Sequence, residues 1–248
     1  MRDARGNKRA GDLPLFQEFA VSDPRLITAL DLPTIDEAEA LVATLGEVCV
    51  HYKIGLQLLP VGGMDLAARL KAHGKQVFLD YKLHDIPATV EKATRSITAA
   101  GADLLTVHAE PPVMRAAHAG REGSNLKILG VTVLTAYDDA MLTEMGYGSG
   151  ARDLVLRRVE QALECGLDGV VASPQEAEEI RARFGGGFLI VTPGVRPAGT
   201  DAGDQKRVAT PAEALRAGAS HLVIGRPISA APDPKAAATA ILAEMARV

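Results

Sequence analysis

Eight short apolar runs rich in β-branched residues alternate along the chain with longer segments of helical spacing. The runs are RLITALD from Arg25, VCVHYKI from Val48, QVFLDYK from Gln76, ADLLTVH from Ala102, LKILGVTVL from Leu126, LDGVVAS from Leu167, FLIVTPG from Phe188 and SHLVIGR from Ser220. Between them lie segments such as TIDEAEALVATLG from Thr34 and SPQEAEEIRARFG from Ser173, which open on a hydroxyl N-cap and close on glycine. A strand–helix unit repeated eight times predicts a single α/β domain, a (β/α)8 barrel over residues 23–248, with a doubly wound open sheet as the alternative.

Side chains alternate across a strand, so residues two apart share a face. Ile27, Ala29 and Asp31 form one such set, Cys49, His51 and Lys53 a second, and Phe78, Asp80 and Lys82 a third. The opposite sets (Leu26, Thr28, Leu30; Val50, Tyr52; Val77, Leu79, Tyr81) are mostly apolar and suit packing against helices. Charges therefore gather at the C-terminal ends of three successive strands, pointing into the barrel mouth, where barrel enzymes keep their active sites.

Composition narrows the field. The chain has 248 residues, 47% of them apolar, with a formal net charge of −4, no tryptophan and no block of Lys or Arg. A nucleic-acid partner, which needs a basic footprint or stacking platforms, is not expected. Two cysteines make no disulfide framework, and Cys49 in VCVHYK reads as a small buried hydrophobe, which fits a reducing compartment such as the cytoplasm. No apolar run reaches the ~20 residues that span a bilayer, so no membrane role is expected. Residues 1–22 are polar and lack an apolar signal core; they read as a loosely ordered extension.

Asp31, Lys53, Asp80, Lys82 and Asp85 are the chemical candidates. One solvated charge at a strand end is ordinary, but four of one parity on three neighbouring strands are not. Acids on both sides of Lys82 favour its ammonium form, the reverse of what a Schiff-base lysine needs. Lys82 thus reads as an electrostatic stabiliser of a developing carbanion and as its proton donor. The three acids could supply hard oxygen ligands, but two lysines among them already balance that charge, and no His/Cys metal spacing occurs, so no metal is expected.

Two late segments complement the cluster. TPGVRPAGTDAGDQKR, Thr192 to Arg207, is a long Gly/Pro-rich stretch after the seventh run. VIGRPI after the eighth brings Gly225 at a turn, Arg226, and Pro227 at a first helical position. In barrels these two loops commonly hold a phosphate. GYGSG at Gly146 does not follow a strand and reads as a loop, and GGG at Gly185 as a helix stop. His108 reads as a packed or supporting histidine, His84 falls on the wrong parity for catalysis, and His51 lies deeper in the barrel.

The motif DYKLHDIPAT, Asp80 to Thr89, resembles the signature of the orotidine 5′-phosphate decarboxylase family, from about Asp23 to the C-terminus. ALD at Asp31, YKIG at Lys53, TVLT ending at Thr135, TPGVRP with Arg196, GDQKR with Gln205 and IGRPI with Arg226 match in family order. The D-x-K-x-x-D core alone is shared with magnesium-dependent 3-keto-gulonate-6-phosphate decarboxylases and hexulose-phosphate synthases. The Ile-Pro-x-Thr continuation and the late Gln/Arg pair favour the first family. The resemblance implies cofactor-free conversion of orotidine 5′-phosphate to UMP by a homodimer with shared active sites. Asp31 and Lys53 would hold the ribose, Asp80 would lie by the substrate carboxylate, and Lys82 would protonate the ring carbon. Asp85, Ile86 and Thr89 would reach the neighbouring subunit's site. Thr135 would meet the pyrimidine edge, and Arg196, Gln205, Gly225 and Arg226 would gather phosphate contacts. A barrel that only binds a phosphorylated ligand is the non-enzyme alternative.

Overall fold

The structure, a computed structural model, describes residues 22–197 and 209–248. The extension expected over residues 1–22 lies, apart from Ser22, outside the described residues. Each of the eight apolar runs contains a strand: β1 (Leu26–Ala29), β2 (His51–Gly55), β3 (Gln76–Leu83), β4 (Leu104–His108), β5 (Lys127–Val131), β6 (Gly169–Val171), β7 (Leu189–Thr192) and β8 (His221–Ile224). They pair in parallel in sequence order, and β8 returns to β1, closing a (β/α)8 barrel.

The helices are α1 (Ile35–Leu45), α2 (Gly63–Ala72), α3 (Pro87–Ala99), α4 (Pro111–Gly120), α5 (Asp139–Glu144), α6 (Ala151–Glu164), α7 (Pro174–Phe184), α8 (Pro211–Arg216), α9 (Arg226–Ser229) and α10 (Pro234–Met245). Their ends follow local chemistry. Thr34 caps α1 through the amide of Glu37, and Gly46 ends it at φ 54°. Ser173 and Glu176 form a capping box at the start of α7, and Gly185 ends that helix at φ 75°. A left-handed stop of this kind falls to glycine, which has no Cβ to clash. No helix among the described residues is long and apolar enough to cross a membrane.

Strand alternation sorts the core into layers. Ile27, Phe78, Leu104, Leu129 and Val191 fill the barrel interior. Leu26, Leu30, Tyr52, Val77, Leu79 and Tyr81 pack outward with helix residues such as Leu41, Leu45 and Leu66. Cys49 departs from the expected parity: it precedes β2, belongs to the outer layer and is 2% exposed. Alternation holds only inside a strand, and β2 begins two residues later.

A repeated clasp closes the N-terminal end of the barrel. Asp103 donates its amide to the Val77 carbonyl (2.9 Å) and accepts the Val77 amide on Oδ2 (2.7 Å). Asp168 does the same with Ile128 (3.1 and 2.8 Å), and Ser220 with Ile190 (2.8 and 2.9 Å). Two residues before each clasp stands a left-handed glycine, Gly101, Gly166 or Gly218. The chain thus joins β3 to β4, β5 to β6 and β7 to β8 with one device used three times.

Candidate active site

A cavity of about 640 Å³ opens at the C-terminal ends of the strands. Asp31, Lys53, Asp80, Lys82, Thr135, Arg196, Gly225 and Arg226 all line it, so the barrel brings together most of the residues singled out from the sequence. Phe78, Val171, Val191 and Val223 form its apolar base.

Four charges run across this cavity in alternating sign. Lys53 Nζ donates to Asp31 Oδ1 at 2.9 Å and stands 3.5 Å from Asp80 Oδ2, while Lys82 Nζ donates to Asp80 Oδ1 at 2.8 Å. Side-chain exposure is 8% at Lys53, 15% at Asp80 and 26% at Lys82, so the inner members sit where charge–charge attraction is weakly screened. Burial by itself pushes the Asp80 carboxyl up. The charges of Lys53 and Lys82, with hydrogen bonds from Lys82 and Thr106, outweigh burial and hold it below the usual carboxylate range. Gly55 makes room for the array: a Cβ there would stand 3.0 Å from both Asp31 Oδ1 and Lys53 Nζ.

Lys82 reaches the cavity by a different route from simple alternation. The β3–β4 register runs Leu79 to Leu105 and then Leu83 to Val107, so three residues of β3 face Thr106 alone. Lys82 takes φ 47° within this bulge, the sole positive φ outside glycine among the described residues. Such a conformation is costly for a long side chain and is characteristic of functional sites.

At the other end of the cavity, Val195 bridges to Ala209 and the Arg196 amide donates to the Ala209 carbonyl at 2.9 Å. The stems of the long β7–α8 connection are thereby joined, with Arg196 facing the cavity. Gly225 precedes α9, which begins at Arg226, so Pro227 takes the second helical position, one later than expected. Gln205 lies outside the described residues.

Asp85, Ile86 and Thr89 are not brought to this chain's own cavity. Asp85 and Ile86 sit exposed on the β3–α3 turn, where the Asp85 carboxylate accepts its neighbour's amide, Ile86 N, at 2.6 Å, and Thr89 is exposed in the first turn of α3. Lys82 therefore pairs with Asp80 and not with both flanking acids, because the turn into α3 carries Asp85 outward. His84 is exposed and meets Glu110 at 3.1 Å; its ring lies 4.9 Å from that of half-buried His108. Burial, then the charges of His84 and Arg158, push His108 below the ordinary histidine range. Among the described residues no group of three or more His, Cys, Asp or Glu side chains is placed to hold a metal ion.

The sequence reading missed two residues of this site. Gly55 stood inside a noted motif but was given no part. Thr106, buried on the inward face of β4, was passed over within an apolar run; a polar residue on that parity was the available signal.

Comparison with known proteins agrees with the geometry. The model of the orotidine 5′-phosphate decarboxylase / HUMPS family matches residues 24–241. An orotidine 5′-phosphate decarboxylase of Caulobacter sp. (strain K31) is 60% identical over 225 residues, covering 91% of this chain and 98% of the relative. That of Methylorubrum extorquens (strain PA1) is 58% identical, covering 90% and 97%. The crystal structure of orotidine 5′-phosphate decarboxylase from Lactobacillus acidophilus superposes with a TM-score of 0.79 at 35% identity, covering 90% of this chain and 99% of that one. The chain belongs to the orotidine 5′-phosphate decarboxylase family.

Proposed function

We propose that this protein is a carboxy-lyase that converts orotidine 5′-phosphate to UMP and carbon dioxide in pyrimidine biosynthesis, without metal or cofactor. The alternating array Asp31–Lys53–Asp80–Lys82 is the observation that carries the reading. Breaking the bond between the ring carbon and the carboxylate leaves an electron pair on a carbon that lacks an ordinary conjugated sink. An ammonium held beside that carbon stabilises the charge as it forms and then donates its proton. Lys82 takes that part, with Asp80 as its fixed partner. Both acids of the array are engaged by lysines, which favours this chemistry over a cation bridging them.

Asp31 and Lys53 hold the ribose hydroxyls, Thr135 meets the pyrimidine edge, and Arg196, Gln205, Gly225 and Arg226 gather the phosphate. A guanidinium offers a phosphate two parallel donors, and binding energy from this remote group helps to position the ring. Asp85, Ile86 and Thr89 serve a second subunit in a homodimer. Their outward placement supports this, as do exposed Leu56 (57%), Val61 (50%) and Ile86 (66%) near the mouth. Unpaired Cys49 and Cys165 fit a cytoplasmic enzyme.

Loss of orotidylate absorbance, followed with metal-stripped protein in EDTA, tests the activity; no turnover, or turnover restored only by magnesium, sinks the reading. The shared site has its own test. Lys82→Ala and Asp85→Ala homodimers should be nearly inactive, yet random exchange makes half the dimers mixed, and each mixed dimer holds one intact site. Activity should rise toward about a quarter of wild type. Exchange confirmed by mass without that rise assigns Asp85 to its own chain.

A further inference from the structure

Thr106 lies beneath the charge array and does not line the cavity; it is fully buried in the middle of β4. Its hydroxyl makes two hydrogen bonds. It accepts the backbone amide of Lys82 at 3.0 Å and donates to Asp80 Oδ1 at 2.9 Å. Asp80 Oδ1 also accepts Lys82 Nζ at 2.8 Å. The bonds close a ring: from the Lys82 ammonium to the Asp80 carboxylate, through the Thr106 hydroxyl, and back to the Lys82 main chain.

The ring sits where the strand ladder fails. Between Leu79 and Leu83 the regular β3–β4 pairing is lost, and Lys82 is turned to a left-handed φ that a lysine does not adopt unaided. The bulge strips the Lys82 amide of a ladder partner, and the Thr106 hydroxyl supplies one. The same oxygen spends its proton on the acid that aims the Lys82 side chain. A hydroxyl is the group suited to this position, because it accepts and donates at once.

We propose that Thr106 is a positioning residue for the decarboxylation: its hydroxyl locks the β3 bulge and the Asp80 carboxylate together, so that the Lys82 ammonium is held at the reacting carbon. This rests on the assignment of Lys82 as proton donor. Thr106 itself touches neither substrate nor product. It acts on the geometry of the chemical step and leaves the distant phosphate contacts alone.

Two substitutions separate the hydroxyl from the shape of the side chain. Thr106→Val keeps the branched outline, which a strand accommodates well, and removes the hydroxyl. Thr106→Ser keeps the hydroxyl and removes a methyl. Thr106→Val should lower kcat about 10²-fold, the scale of a small misplacement of a reacting group, with KM and UMP affinity within about threefold of wild type. Thr106→Ser should retain kcat within about fivefold of wild type. A Val variant with wild-type kcat, a Ser variant that falls as far as Val, or a rise in KM at unchanged kcat overturns the proposal. Where the Val protein does not fold, Thr106→Ala against Thr106→Ser carries the same contrast. An inactive wild type, or an active Lys82→Ala protein, overturns the underlying assignment instead, in controls that leave residue 106 untouched.

Discussion

The two ends of the barrel treat ionisable groups in opposite ways. At the C-terminal mouth, Asp31, Lys53, Asp80 and Lys82 alternate in sign and pair with one another along the wall of an open cavity. At the N-terminal end, His51 is buried with its Nδ1 on the Pro24 carbonyl at 3.0 Å, and the His221 ring stands edge-on 6.1 Å away. Burial, then the charge of His51, lowers His221 to about 4. Two ion pairs at this end, Lys71–Asp103 and Arg121–Asp168, are tied into the clasps that hold neighbouring strands. One end holds charge ready for a ligand, and the other uses polar groups to close the barrel. Variants at the mouth should therefore remove turnover and spare melting, and variants at the floor should do the reverse.

The sharpest break would come at Lys82. Lys82→Ala removes both cation and proton donor, and kcat should fall about 10⁴-fold or more while the melting temperature holds. A folded variant with substantial turnover would take Lys82 out of its part and leave the mouth without a distinctive chemistry. Arg226→Ala should raise KM about 10²-fold for the phosphorylated substrate, the scale of a lost charge-assisted contact. It should matter little for the nucleoside lacking the phosphate. Equal damage to both substrates would mean that Arg226 supports the fold, blurring the contrast between the ends.

Asp168→Ala tests the floor. It strips the Ile128 amide of its acceptor and leaves Arg121 without its carboxylate, a loss of about 2–3 kcal/mol. The melting temperature should drop by roughly 4–10 °C with kcat unchanged. A fall in kcat at full stability would show the two ends to be coupled.

The smallest effect is one of pH. His221 ionises at 6.5 in the unfolded chain and at about 4 in the folded one, so the folded state favours its neutral form. That contribution is complete above pH 6.5 and is lost as pH falls toward 4. Melting temperature should decline over this window, and His221→Asn should flatten the decline without altering turnover at neutral pH. An unaltered acid slope would assign the sensitivity to other groups.

These ends were unequally legible in the sequence. The eight strands were plain because each is an apolar run bounded by turn or cap residues. Asp31, Lys53 and Asp80 followed from alternation at the strand ends. Lys82 was aimed at the mouth for an incomplete reason, since two-residue alternation says nothing of a bulge whose Lys82 amide bonds to Thr106 on another strand. Asp85 was legible as a second acid beside Lys82, a pairing that the turn into α3 does not make; its reach toward a second subunit, and any part for Ile86 and Thr89, entered only through the resemblance. The clasps were written in the chain as Gly-x-Asp or Gly-x-Ser, at Gly101, Gly166 and Gly218. They went unread because their meaning lies in the partner strand.

The threefold clasp has a further consequence, for how the molecule comes apart. Each clasp engages both the amide and the carbonyl of one residue on the preceding strand, so β3–β4, β5–β6 and β7–β8 are joined as doublets at their N-terminal ends. A fluctuation that frees one strand of a doublet must break side-chain and main-chain bonds together. Exchange of the Val77, Ile128 and Ile190 amides should therefore require loss of the matching clasp, so that protection at each of these three positions reports on the pair of strands it joins.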